Sequence, residues 1–199
     1  MENIHPIFDQ ILNQSDKEKL LHQKGIVIWL VGLSGSGKST LAKAFESYLY
    51  QKGHLTQILD GDNLRTGLNN NLTFTADDRK ENIRRVAEVA KLFANCGIVT
   101  ICSFISPTEE IRTMAKEIIG EAQYYEVFVS CSLEVCEKRD VKGLYAKARS
   151  GEIKNFTGID APFENPKEPN LVIKTDTEDL ERCLQTMIDS IYEKIKIDS

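Results

Sequence analysis

Residues 26–40 read Ile-Val-Ile-Trp-Leu-Val-Gly-Leu-Ser-Gly-Ser-Gly-Lys-Ser-Thr. An unbroken apolar run, 26–31, passes directly into G-x-x-x-x-G-K-S. Such a run is what a strand covered on both faces of a parallel sheet looks like. The motif behind it is the loop that cradles the phosphates of nucleoside triphosphates. Its glycines let several backbone N–H groups converge on one small space. A helix predicted to begin near Lys38 turns its positive end toward the same space. The stretch Gly32, Leu33, Ser34, Gly35, Ser36, Gly37, Lys38, Ser39 and Thr40 is therefore the expected ATP site. Lys38 is expected to reach the terminal phosphates, and the Ser39 hydroxyl to bind Mg²⁺.

Outward from this loop the pattern alternates. Further strands are predicted at 55–59, 98–102, 126–130 and 171–173. Helical spacing links Leu41, Ala44, Phe45, Tyr48 and Leu49, then Ile83, Val86, Ala87, Ala90, Phe93 and Ala94. It recurs at Ile111, Ala115 and Ile118, and at Leu180, Leu184, Met187, Ile188 and Ile191. Strand and helix in alternation predict an α/β fold: a doubly wound, five-stranded parallel sheet with helices on both faces and ligands at the carboxyl ends of the strands. Residues 1–24, with Ile4, Phe8, Ile11, Leu12 and Leu20 at loosely helical intervals, are expected to form a helical extension, and 25–199 the main domain.

The 199 residues, 41% of them hydrophobic, suffice for one real core. A net charge of -5 argues against nucleic acid as a partner, since that role needs a basic footprint. The apolar runs are too short to span a bilayer, and the N-terminus lacks the basic start and apolar core of a secretory signal. The five cysteines (96, 102, 131, 136, 183) show no C-x-x-C spacing and read as reduced, mostly buried residues of a cytoplasmic protein. One segment departs from the acidic background. Between 138 and 154 six basic residues, Arg139 and Lys142 among them, face only two acidic ones. This island is expected to be a lid that closes cations over phosphates.

The second strand ends in Asp60-Gly61-Asp62-Asn63-Leu64-Arg65. Carboxylates there are placed to hold Mg²⁺ or to take a proton from an attacking hydroxyl. Thr75 followed by Asp78 reads as a capping box opening a helix that runs to about Asn95. Arg79 and Asn82, three apart, share a face of its first turns. With Arg65 they are candidates to converge on an anionic group, a task suited to the planar guanidinium. The third strand leads to Ile105-Ser106-Pro107 on the ligand edge, with Ser106 also a plausible helix N-cap. Asp140-Val141-Lys142-Gly143 spells the D-x-x-G of guanine-nucleotide switches, but no Asn-Lys-x-Asp accompanies it.

Together these segments resemble the adenylyl-sulfate kinases. The resemblance is carried by 32–40, 59–65, 76–90 and 103–107, and above all by Cys136-Glu137-Lys138-Arg139-Asp140, Lys142-Gly143-Leu144-Tyr145 and Asn155-Phe156-Thr157-Gly158-Ile159. It implies the P-loop kinase sandwich and transfer of the γ-phosphoryl of ATP to the 3′-hydroxyl of adenosine 5′-phosphosulfate. It implies Lys38, Asp62 and Ser106 as catalytic residues, with Asp62 aligning or deprotonating the hydroxyl and joining Ser39 at Mg²⁺. Arg139 would join the ATP site. Arg65, Arg79 and Asn82 would hold the phosphosulfate, Phe74 and Phe156 would sandwich the acceptor's adenine, Ile105 and Ser106 would touch it, and Lys142 would be the lid lysine. The family describes a phosphoserine at the position of Ser106, whereas transfer on this fold proceeds mainly by positioning and direct in-line attack. The resemblance also implies a homodimer and functional coupling to a sulfate adenylyltransferase.

Overall fold

The computed structural model describes residues 4–7 and 10–197. Five parallel strands, β1 (Val27–Val31), β2 (Thr56–Asp60), β3 (Val99–Phe104), β4 (Tyr124–Ser130) and β5 (Leu171–Lys174), form one sheet in the order β2-β3-β1-β4-β5. The chain leaves β1 toward one edge of the sheet and later returns past it toward the other, so the doubly wound expectation holds. The strands begin and end within three residues of their predicted bounds.

The central strand explains itself by alternation. Ile28 and Leu30 point to one face, where α2 (Lys38–Gln51) and α8 (Leu180–Ile195) cover them with Phe45, Leu49, Met187 and Ile191. Val27, Trp29 and Val31 point to the other, against α4 (Ala76–Asn95) and α5 (Glu109–Ile119) through Ile83, Val86, Ala90 and Ala115. All five β1 residues are fully buried, which is why the run carries no polar residue. A third, smaller cluster lies apart. Leu33, Cys136, Tyr145, Ala148 and Phe156 join the phosphate loop to α6 (Leu133–Arg139), α7 (Leu144–Arg149) and the loop after them.

The N-terminal segment carries a helix before the sheet begins. Among the described residues of this segment Gln14–Leu21 (α1) is helical, because a complete capping box between Asn13 and Asp16 starts the helix and His22, in the left-handed region, stops it. Ile4, Ile11, Leu12 and Leu20 are exposed, so they form no packed helical stripe; Phe8 lies outside the described residues. The segment is tied down by polar groups instead. The buried Gln23 side chain donates to the carbonyls of Leu55 and Gly97 and accepts from the Leu55 N–H. Glu18 accepts from the Gly25 N–H at 2.8 Å.

Two predicted caps also differ. Thr75 does accept from the Asp78 N–H, but the Asp78 carboxylate turns to the N–H and hydroxyl of Thr73 rather than back to Thr75, so the box is half formed. Ser106 does not cap α5. That helix starts at Glu109 behind Thr108, and the Glu109 N–H is met by the Glu164 carboxylate at 2.7 Å. Ser106 lies two residues before that N-cap, in the left-handed region, and its hydroxyl accepts from the Trp29 indole instead. Among the described residues no helix is long and apolar enough to cross a membrane.

Candidate active site

The carboxyl ends of β2 and β3 and the turns after β1 and β5 line one cavity of about 860 Å³, at the large end of the range for ligand sites. The phosphate loop forms its floor. At Gly32 a Cβ would meet the Val129 carbonyl at 2.6 Å and Ser36 Oγ at 2.8 Å, so only glycine fits. Gly37 occupies the N-cap of α2 with φ 97 and supplies no side-chain cap, which leaves the first-turn N–H groups open to an anion. Helix α2 starts at Lys38, as expected.

Lys38 is buried. Its Nζ donates to the carbonyls of Gly32 and Leu33 at 2.8 and 2.7 Å. Removal from water pushes its pKa down to about 8, against smaller opposing pulls from groups that include Asp60 and Asp62. The carbonyls hold the ammonium over the loop, where phosphate oxygens would replace them.

Ser39 Oγ donates to Asp60 Oδ2 at 2.7 Å and lies 3.2 Å from Ser103 Oγ. The carboxylate beside the loop serine is thus Asp60, at the last position of β2, and not Asp62. Asp60 also accepts the Asp62 N–H and so caps the short helix α3 (Gly61–Arg65). Its neighbour Ser103 follows from register, since Asp60 pairs with Ser103 across β2 and β3. One hydroxyl and one or two carboxylates, with room for water and phosphate oxygens, fit Mg²⁺, which keeps much of its hydration and takes few protein ligands. Asp62 instead forms an ion pair with Lys142, joining α3 to the loop between α6 and α7. Both side chains are more than half exposed, so the pair contributes only about 0–1 kcal/mol and opens readily to a ligand.

The other end of the cavity is lined by Phe74, Arg79, Asn82, Ile105, Ser106 and Phe156. Phe74 is 60% exposed and Phe156 only 8%. The Arg65 guanidinium lies over the Phe74 ring at 4.2 Å and donates to the carbonyls of Leu72 and Thr73. Phe156 packs edge-on against Tyr145, with ring centroids 4.9 Å apart. The two rings expected to flank an adenine therefore line one cavity, one exposed beneath Arg65 and one anchored in the third cluster. Arg79 is a clasp. It donates to the Phe74 carbonyl, to Thr157 Oγ1 and to the Asn155 carbonyl, so it ties the start of α4 to the loop that carries Phe156. Burial lowers its pKa, with Arg65 adding to the effect. Asn82 is buried and its Oδ1 accepts from the Asn69 amide at 3.0 Å.

The basic island divides. Arg139, Lys142 and Lys154 line the cavity, while Arg149 pairs with Glu137 outside it. Arg139 donates to the Gly35 and Thr175 carbonyls, which sets its guanidinium beside the phosphate loop. The Tyr145 hydroxyl donates to the Ser34 carbonyl at 2.8 Å and fixes α7 above the same loop. The D-x-x-G at 140–143 is a helix start: Asp140 accepts the N–H groups of Tyr145 and Ala146, and Gly143, with φ 65, begins α7. Cys102, Cys136 and Cys183 are buried, and burial pushes the Cys136 thiol up to about 12, so it is inert.

Of the site residues named from the sequence, all but Gly32, Leu33 and Ser36 line the cavity; Asp60 was named only as one of two carboxylates ending the second strand, and Tyr145 and Thr175 were given no role. Thr175 follows β5, accepts from Arg139 and donates to the Ser36 carbonyl. The rule that places ligands at strand ends, applied to the fifth strand as to the first three, would have found it.

Comparison with known proteins gives the family. The family model described as Adenylylsulphate kinase matches residues 24–174. An adenylyl-sulfate kinase of Phocaeicola vulgatus is 58% identical over 190 residues, covering 96% of this chain and 93% of its own. The solved APS kinase of Mycobacterium tuberculosis in complex with AMPPNP and APS aligns with a TM-score of 0.82 at 46% identity, over 85% of this chain and 98% of that one. A hexameric APS kinase from Thiobacillus denitrificans aligns with a TM-score of 0.66 at 26% identity, over 87% of this chain but 30% of that one. The phosphate loop on a parallel sheet, the cations gathered over it and these matches along most of the chain place it in one family: it belongs to the adenylyl-sulfate kinases, ATP-dependent enzymes that phosphorylate adenylyl sulfate.

Proposed function

We propose that this chain moves the γ-phosphoryl of ATP directly, in line, to the 3′-hydroxyl of adenosine 5′-phosphosulfate, giving 3′-phosphoadenylyl sulfate and ADP. One observation carries the residue assignment: a single cavity has the phosphate loop, Lys38 and Ser39 at one end and Phe74, Arg79, Asn82 and Phe156 at the other. ATP lies on the loop with its phosphates on Lys38 and the N-terminus of α2, and Arg139 closes over it. Ser39 and Asp60 would hold Mg²⁺, with Asp62 in the same cavity, and the ion would supply neutralisation of charge on the transferred group. The acceptor lies between Phe74 and Phe156, and Ile105 and Ser106 contact it. Asp62 leaves Lys142, aligns the 3′-hydroxyl and takes its proton as the oxygen bonds to the phosphorus and the bond to the ADP oxygen breaks, while Lys142 turns to the phosphates. Positioning of this kind supplies several kcal/mol of barrier lowering.

The test is product analysis after incubation with ATP, Mg²⁺ and adenosine 5′-phosphosulfate, alongside a nucleoside monophosphate and a sugar acid. A bisphosphorylated adenosine product from the first acceptor alone supports the assignment. Labelled phosphate appearing only on one of the others overturns it. A homodimer, a cytoplasmic location and supply of the acceptor by a sulfate adenylyltransferase belong to the same proposal, and sedimentation equilibrium tests the first.

Two further outcomes are expected. Arg79→Ala raises the KM for adenylyl sulfate about tenfold, because a charged clasp on the acceptor side is lost. The KM for ATP stays within twofold; the reverse pattern in steady-state kinetics removes Arg79 from the acceptor end. The second concerns pH. With Lys38 near 8 in the ligand-free chain, phosphate oxygens favour the ammonium and raise that value on binding. ATP binding above pH 8 therefore takes up a proton, and affinity falls as the pH climbs. Calorimetry at pH 9 in two buffers of different ionisation enthalpy reads the uptake; identical heats in both rule it out. The ordinary value of 10.5 applies to the unfolded chain. The unfolded state therefore binds the extra proton between pH 8 and 10.5, and Lys38 makes the ligand-free fold more stable as pH rises through that window.

A further inference from the structure

We infer that Trp29 is a positioning residue for the acceptor, its indole N–H orienting the Ser106 hydroxyl so that the hydroxyl proton faces the cavity as a hydrogen-bond donor. The inference rests on the reading of the acceptor end given above. Trp29 lies in the middle of β1, fully buried, with its ring stacked on Phe104 at 5.7 Å and against Tyr124 at 6.0 Å. A buried indole N–H needs an acceptor, and the one that Nε1 finds, at 3.0 Å, is Ser106 Oγ, a hydroxyl on the wall of the cavity. An indole N–H is a donor and nothing else, whereas a serine hydroxyl has one proton and two lone pairs. With one lone pair taken by Trp29, the Ser106 proton points away from the indole. Among the described residues no protein acceptor receives it, and Ser106 lines the cavity.

The rest of the residue is held to match. Ser106 has φ 46, a left-handed conformation that is sparse for a side chain of this kind. It persists because its carbonyl accepts from Arg112 Nη1 at 3.0 Å, and the buried Arg112 is itself tied to Glu109 at 2.7 Å. A non-glycine residue locked in this region from two sides marks a site where geometry is being imposed. The hydroxyl so aimed recognises a hydrogen-bond acceptor on the nucleotide, such as a ring nitrogen or a sugar oxygen. The same bond leaves Ser106 without a base at its oxygen, since an indole N–H accepts no proton, and this casts Ser106 as a donor rather than a nucleophile.

Trp29→Phe keeps an aromatic ring between Phe104 and Tyr124 and removes the N–H. It is expected to raise the KM for adenylyl sulfate five- to tenfold, about the loss of one oriented hydrogen bond, with kcat and the KM for ATP within twofold. Ser106→Ala raises the same KM by a similar factor, and the double variant no further, because Trp29 acts through Ser106. A merely structural tryptophan would lower thermal stability without a selective KM effect, and its effect would multiply with that of Ser106→Ala. Trp29 is also the one tryptophan of the chain, so its emission gives a second readout. Adenylyl sulfate is expected to shift that emission in the unaltered chain and to leave it unmoved in Ser106→Ala. An unchanged acceptor KM in Trp29→Phe, multiplying effects, or the same emission shift with and without the Ser106 hydroxyl overturns the inference; the last comparison decides it even if Trp29→Phe does not fold. An unaltered chain that turns over no adenylyl sulfate overturns the reading of the reaction and this inference with it.

Discussion

Lys38→Ala is expected to lower kcat about 10³-fold, the size of effect seen when a preorganised charge facing a developing phosphoryl charge is removed. The chain should remain folded. Lys38 is buried with its ammonium held by two carbonyls of its own loop, and burial already disfavours its charge in the ligand-free state. Removing it therefore takes away a desolvated cation as well as two hydrogen bonds, and the melting temperature should move by only a few degrees. Single-turnover kinetics with saturating nucleotides, together with a thermal melt, separate the two effects. Near-normal turnover in a folded variant would contradict the assignment of the loop, and a collapse in stability would mean that the carbonyl contacts matter to the fold more than the charge matters to the chemistry.

The next largest effect is expected at Asp62. Asp62→Asn should cost about 10²-fold in kcat, the lower range for a positioned proton acceptor, with the KM of both nucleotides within a few-fold. The comparison with Asp60→Asn is what gives this force. Asp60 holds Ser39 and caps α3, so its loss should raise the Mg²⁺ concentration needed for half-maximal activity. Among the described residues the Asp62 carboxylate meets Lys142 alone, at the cavity mouth, so its loss should leave the Mg²⁺ requirement nearly unchanged while slowing the chemical step. Titrating Mg²⁺ against both variants distinguishes them. A shifted Mg²⁺ requirement in Asp62→Asn with an unaffected maximal rate would assign the two carboxylates the other way round.

Much of this protein is legible one segment at a time. The apolar run of 26–31 requires burial on both faces, hence a central parallel strand. The glycines and Lys38-Ser39 behind it carry their function in backbone geometry that no other residue pattern supplies at that spacing. The strand ends, Arg79, Asn82 and the basic island follow from short-range periodicity and charge. Local rules misread the chain where a distant group competes for the same atoms. Ser106 reads as a cap because Ser-Pro before a helix usually is one, but the helix starts behind Thr108 and the Ser106 hydroxyl turns to Trp29, 77 residues away. Asp78 looked like half of a capping box, but Thr73 takes its carboxylate.

What the amino-acid order determined on its own was therefore the sheet, the phosphate loop and the residues that face it, because each depends on periodicity or backbone freedom within a dozen positions. What only the tertiary structure decided was which partner each polar group finds. Asp60 rather than Asp62 meets Ser39 because β2 lies beside β3, with Asp60 opposite Ser103. Arg79 reaches the 155–157 loop because α6 and α7 pack on the phosphate loop through Tyr145. Hydrogen bonds have short reach and exact direction, and residues 20 to 110 positions apart become neighbours only once the strands have taken their order.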